Sequence, residues 1–248
     1  MEEEMIPIDP EAVMSFNCSS QNICFNDCCR DLSQALTPYD ILRMKNNLGM
    51  PSQEFLRRYT SRHTGPLSGL PVVEFKPNPQ TGHACPFVTR KGCSIYSDRP
   101  GSCRLYPLAR AISRSRQTGQ VMEYYALIKE DHCKGFAERT GDQTVKEWLA
   151  GQDVAQHNFQ NDKLMMLIST KNMILPGRLE PVQADHFYMA LYDIDEFRDR
   201  IFNHGLFNVL NVPPGILDKI RDNDPFLLDL GIKWIQYILF GMEIKFEG

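Results

Sequence analysis

Cys18, Cys24, Cys28 and Cys29 fall within twelve residues, in the run CSSQNICFNDCCR. After a gap of 55 residues come Cys85, Cys93, Cys103 and Cys133, and the rest of the chain has no cysteine. Soft thiolates in two such groups are suited to zinc, iron–sulfur clusters or copper(I), and poorly suited to magnesium or calcium. Short spacers bring two or three sulfurs to one ion or cluster at small entropic cost, and the second group closes the shell. The spacing lacks the paired Cys-x2-Cys knuckles of a zinc ribbon and the Cys-x2-Cys run of a ferredoxin. In the adjacent pair the side chains diverge, so Cys28 and Cys29 address two metals more easily than one, or one of them binds while the other packs. A first site from Cys24, Cys28, Cys85 and Cys103 is the expected arrangement, with Cys29, Cys93 and Cys133 as further ligands.

The charge balance narrows the setting. The 248 residues are 42% hydrophobic and 23% charged, with a net charge of -4, which argues against general affinity for nucleic acid or an anionic membrane. The N-terminus MEEEMIPIDP has neither the basic nor the apolar part of a signal peptide. The longest apolar run, WIQYILFGM from Trp234, is about half a membrane span. A cytoplasmic location is therefore expected, and in a reducing cytosol clustered cysteines read as metal ligands or redox groups in preference to disulfides.

The elements that must hold these sulfurs can be sketched. Thr37-Pro38-Tyr39-Asp40 reads as a helix start, with Thr37 as N-cap and Gly49 ending the helix. A second helix should begin at Ser52, and Ser61–Leu70 reads as a loop. Val72–Lys76 reads as a strand. Leu108–Ser113 and Val121–Ile128, joined by a polar turn, predict a hairpin that returns the chain to the metal site at Cys133. Asp142 is expected to cap a helix carrying Val145, Trp148 and Leu149. Leu164–Ile168, Asp193–Asn203, Pro214–Arg221 and Pro225–Phe240 are further helix candidates. The fold class expected is α+β: a cysteine-rich metal-binding module with short strands and helices over residues 1–140, then a mainly helical region over 141–248.

The adjacent Cys28-Cys29-Arg30, the stretch LTPYDILRM from Leu36, CPFVTRKGCSIYSDRPGSCRLYPL from Cys85 and the Cys133-Lys134-Gly135 turn together resemble the YkgJ-type cysteine cluster family. That family is described as zinc- or iron-chelating. The resemblance covers roughly residues 18–136 and implies a metal centre. The first spacer is longer here than the family's, which makes Cys18 the least expected ligand. An iron–sulfur cluster, 4Fe-4S in kind, is the expected cofactor, with zinc as runner-up. Part of the motif also occurs in flagellin lysine N-methylases, which implies an alternative as an S-adenosylmethionine-dependent protein lysine methyltransferase. No G-x-G-x-x-G turn follows a strand to support it. A thiol redox sensor using the Cys28–Cys29 pair is a third reading. A partner, protein or small molecule, is expected for the helical half.

Other residues have candidate roles. Arg99 and Arg104 could hydrogen-bond to cysteine sulfurs and offset their charge. Arg110, Arg114 and Arg116 share strand parity and read as a solvated, edge-protecting row. His83 and His132 flank cysteines but read as surface loop histidines. The acidic stretch Asp185, Asp193, Asp195, Glu196 and Asp199 reads as caps and a solvated helix face. Met165, Met166, Met173 and Met189 read as core packing.

Overall fold

In a computed structural model, residues 4–30, 34–76, 78–115, 117–137, 141–208, 210 and 212–246 are described. The chain divides into two units: Met1–Ser33 with Pro77–Asp162, and Gln34–Lys76 with Lys163–Gly248. It crosses between them three times, where the sequence suggested a single boundary near residue 140. The cause is pairing in the second unit. There β5 (Pro71–Phe75) is flanked by β3 (Ala35–Leu36) and β4 (Thr60–Thr64), and β5 also packs against α6 (Pro181–Leu191).

In the first unit the expected hairpin forms. β8 (Leu108–Arg114) pairs antiparallel with β9 (Val121–Lys129). Its other neighbour is β1 (Glu4–Ile8), from a segment with no strand signal in the sequence reading. Period-two alternation turns Leu108, Tyr125 and Leu127 inward onto Met14 and Val145, with Ile6, Ile8, Phe136, Trp148 and Leu149 packed around them. Met5, Met122 and Tyr124 stand on the exposed opposite side. Arg110 does not belong to a solvated row: it is buried against Asp162 and Glu123, at 2.6 and 2.8 Å. Arg114 is exposed, and Arg116 lies outside the described residues.

β2 (Val13–Ser15) pairs with β10 (Asp142–Thr144), which leads into α4 (Val145–Gly151). The cap of α4 is Thr144, not Asp142. Thr144 and Glu147 form a reciprocal capping box, and Asp142 is committed to the strand. Val145, Trp148 and Leu149 face the core as expected. α5 (Ala155–Ile174) is far longer than Leu164–Ile168, and the division between units falls inside it. Three methionines on this helix, Met165, Met166 and Met173, are exposed and not core.

The second unit opens with α1 (Pro38–Asn47), and its start is the one the sequence predicts. Thr37 Oγ1 accepts from the Asp40 amide and Asp40 accepts from the Thr37 amide. Gly49, at φ +61°, takes the left-handed position that ends the helix. α2 (Ser52–Tyr59) follows, and Thr60–Thr64 is a strand where a loop was expected. Helices α6, α7 (Ile194–Phe202), α8 (Pro214–Asp222) and α9 (Asp224–Phe240) complete the unit. α6 was absent from the sequence reading, and α9 is capped by Asn223, whose side chain accepts from the Phe226 amide. Phe55, Phe187, Phe197, Leu227 and Trp234 sit in the apolar interior.

The acidic stretch is only partly a solvated face. Asp195 and Asp224 share Lys45 (3.1 and 3.6 Å) and Arg198. Asp193 accepts from Ser52 Oγ at 2.6 Å. No helix among the described residues is long and apolar enough to cross a membrane.

Candidate metal centre

All eight cysteines lie in the first unit, and all are free thiols. The loop carrying the first four is shaped by its own polar side chains. Ser19 donates to Asn22 Oδ1 from both amide and hydroxyl, and Asn22 Nδ2 donates to the Asn17 carbonyl. Asn26 adopts φ +72°, a left-handed conformation that asparagine tolerates, and turns the chain into a single 3-10 turn, Asp27–Cys29.

Two sets of contacts bring the other cysteines to this loop. On one side, the Cys85 amide donates to the Cys29 carbonyl at 2.8 Å and Asn26 Nδ2 donates to the Thr89 carbonyl at 2.9 Å. Cys85 and Cys93 flank and enter the small hairpin of β6 (Val88–Thr89) and β7 (Gly92–Cys93). Gly92, at φ +108°, lies under the Phe25 ring, and a Cβ there would stand 3.1 Å from Phe25 Cζ. On the other side, the Asn17 amide donates to the Gly135 carbonyl at 2.9 Å, and the Lys134 amide donates to Cys24 Sγ at 3.2 Å. A Cβ on Gly135 would come within 2.5 Å of Phe16 Cε2. Phe16 is buried against Phe136, Trp148 and Tyr106, so the Cys18 and Cys133 strands of the loop are pinned to the core.

The thiols feel each other's charge. Burial pushes the Cys18 thiol up, and Cys28, Cys133 and Cys24 push it further. Cys28 is raised most, by its contact with the Cys29 thiol and then by burial. Burial lifts Cys85 to about 11, with Cys93 and Cys28 adding to it while the Phe87 and Val88 amides pull the other way. Cys93 is raised by burial and by Cys28, against the Ile95 amide and Arg99. Cys28 is thus the common member of two groups: Cys18, Cys24 and Cys133 on one side, Cys85 and Cys93 on the other, with Cys29 beside it. Cys103 is exposed on the short helix α3 (Gly101–Leu105). Cys18, the least expected ligand, stands among the other thiols.

Arg99 is the cation nearest this set in its effect, favouring the thiolates of both Cys18 and Cys93. It is buried, donates to the Tyr96 carbonyl and Gln152 Oε1 at 2.8 and 2.7 Å, and stacks 3.9 Å over the Tyr96 ring. Arg104 braces it from below by donating to the carbonyls of Arg99, Ser97 and Gln152. Two residues beyond the sequence reading join the site. Glu130 acts on the charge of Cys28, and Tyr106 stands beside Cys133 and Glu130, its phenol raised by burial and by both neighbours. The Glu130 carbonyl accepts the Cys133 amide in a one-turn return, a contact that no sequence motif announces. His132 lies 3.6 Å from Glu130 and His83 is exposed.

The donor chemistry fits a soft cation. Crowded, partly buried thiols resist ionising, and a metal ion supplies the positive charge that removes this cost. Amide N–H groups aimed at the Cys24, Cys85 and Cys93 sulfurs orient thiolate ligands and share their charge. Among the described residues no three Cys, His, Asp or Glu side chains surround one point closely enough to hold an ion as they stand.

The first unit is an α+β domain that gathers sulfur donors on short loops and turns. Residues 17–134, just under half of the chain, match the CxxCxxCC family, described as a "putative zinc- or iron-chelating domain". The match is confined to that stretch. No match was found among curated proteins or solved structures.

Proposed function

We propose that the protein is a cytoplasmic metal-binding protein whose first unit carries an iron–sulfur cluster, of the 4Fe-4S kind, on the clustered thiolates. The supporting observation is the position of Cys28. It couples to cysteines on both sides of the loop, so thiols from both cysteine runs form one connected set. A zinc ion and a 4Fe-4S cluster each take four thiolates, but the cluster spreads its four over separate iron atoms, one sulfur to each. The adjacent Cys28 and Cys29 then serve different metal atoms. Zinc, in one or two sites, is the second reading, favoured by the amide-to-sulfur contacts that both centres share. The Cys28–Cys29 contact also bears on a redox-sensor reading. The raised Cys28 thiol is a poor nucleophile at neutral pH, which weighs against it.

Anaerobic purification followed by elemental analysis and an absorption spectrum tests the assignment. Brown protein with broad charge-transfer bands and iron and sulfide in equal amounts is the expected result. Colourless protein with stoichiometric zinc would replace it with the second reading. Cys28→Ser should release metal in either case. Full metal retention by this variant would sink the role given to Cys28.

A further inference from the structure

The second unit holds a cleft of about 370 Å³ between α5, α8, α9 and the C-terminal segment. This volume falls within the range of small-molecule sites. Its floor is Ile216 and Leu230, and Met166, Phe226 and Phe246 wall it. Met166 is 37% exposed on a helix whose neighbouring methionines also face outward, so the apolar wall is open to solvent. The α9 residues in the lining follow helical spacing, so one face of this helix supplies most of it.

The polar groups sit at the rim and are unequal in charge. Lys163 is matched by Asp229 at 2.6 Å. Lys233 has no carboxylate partner among the described residues; its ammonium donates to the Lys245 carbonyl at 3.1 Å, next to Phe246. The lining thus carries two lysines and one aspartate, with Gln236 as a further amide donor one turn beyond Lys233. An apolar trough with one cation at its mouth that has no carboxylate partner among the described residues complements an amphiphile with a single negative head.

We infer that this cleft binds an acyl-chain carboxylate, with the chain along Met166, Phe226 and Leu230 and the carboxylate on Lys233. The carboxylate takes the place of the Lys245 carbonyl, exchanging a neutral acceptor for a charged one. Neither an uncharged alcohol nor a cationic amphiphile has the head group that this rim selects.

Calorimetric titration of the full chain with decanoate, below its micellar concentration, tests the inference. One decanoate per chain should bind, and each methylene from octanoate to decanoate should raise affinity about fourfold. Lys233→Gln should weaken decanoate about tenfold or more, the loss of one charge-assisted bond. Met166→Trp, at an exposed position, fills the trough and should weaken it similarly, with the circular dichroism of both variants unchanged. The inference is overturned by any of four results: no saturable binding, affinity independent of chain length, 1-decanol binding as tightly as decanoate, or native affinity in Lys233→Gln or Met166→Trp.

Discussion

The two units are nearly equal in length, 119 and 129 residues. Yet of the 39 buried hydrophobic side chains among the described residues, nine belong to the first unit and 30 to the second. The second has a helical interior of Phe, Leu, Ile and Trp and a half-buried ion network. The first has one thin cluster under a three-stranded sheet, and it holds eight cysteines on loops, turns and very short elements. A domain of this size with so little buried apolar surface is marginal unless something else ties its loops. In the first unit, the proposed metal ligation would fill that role, as it does in small zinc domains whose binding energy is also their folding energy.

Metal removal should split the two most sharply. Stripping the metal with a chelator under reducing conditions should unfold much of the first unit, since thiolate ligation is worth on the order of 10 kcal/mol. The second unit should keep its helical circular dichroism and its own melting transition. Limited proteolysis would then cut within residues 1–33 and 77–162 and spare 34–76. A chelated protein that melts as before would break the comparison.

The reverse experiment uses the second core. Phe197→Ala removes a fully buried ring that touches Phe207 and Trp234, and should cost about 3–5 kcal/mol. Metal content per chain should not change.

Lys45→Met probes the ion network and should cost about 2 kcal/mol, less than a lone buried pair would, because Arg198 still touches both carboxylates. Burial pushes Asp195 and Asp224 up, but Ser52 or Asn46 together with Lys45 and Arg198 outweighs it and holds both below their usual range. Depressed carboxylates stabilise the folded state above their unfolded pKa near 4, and that stability is lost as pH falls through the folded values. Asp193, raised by burial, works in the opposite sense. Acid titration of the native second unit should therefore show a loss below about pH 4, and Lys45→Met should flatten it.

A smaller effect sharpens the comparison inside the first unit. Gly135→Ala drives a methyl into Phe16 and the Asn17 carbonyl, at 2.5 and 2.9 Å, and should cost about 1–3 kcal/mol. It should also speed metal release, measured with a chromogenic chelator, because Cys18 and Cys133 flank that contact. Thr144→Ala, which removes only the α4 cap, should cost about 1 kcal/mol and leave release unchanged.

Sequence reading found what local chemistry specifies. The Thr37 capping box, the hairpin of β8 and β9, and the presence of cysteines in two runs each announce themselves over a few residues. Elements specified by distant partners were not visible. β1 and β4 are short and exposed, and they are strands because β9 and β5 offer them edges. The interleaving of the units has the same origin, since no composition change marks residues 33 or 76. At the metal centre the cysteines were plain, but their grouping around Cys28 was not. It depends on Asn26, Gly92 and Gly135 bringing three loops together, and glycine and asparagine tell little of where they lead. Arg110 and Asp195 read as surface charges because a sequence does not show which carboxylate or ammonium waits across the fold.

The distance along the chain between Asn17 and Gly135, whose backbones are hydrogen-bonded, has a consequence for biosynthesis. At about 5–20 residues per second, roughly 6 to 23 s separate the emergence of Cys18 from that of Cys133. For that interval the first four sulfurs lack Cys133, although Cys85 and Cys93 emerge to join them part-way through it. Loading of the centre is consequently a late event, completed only after the inserted segment has been made and the polypeptide has doubled back on itself.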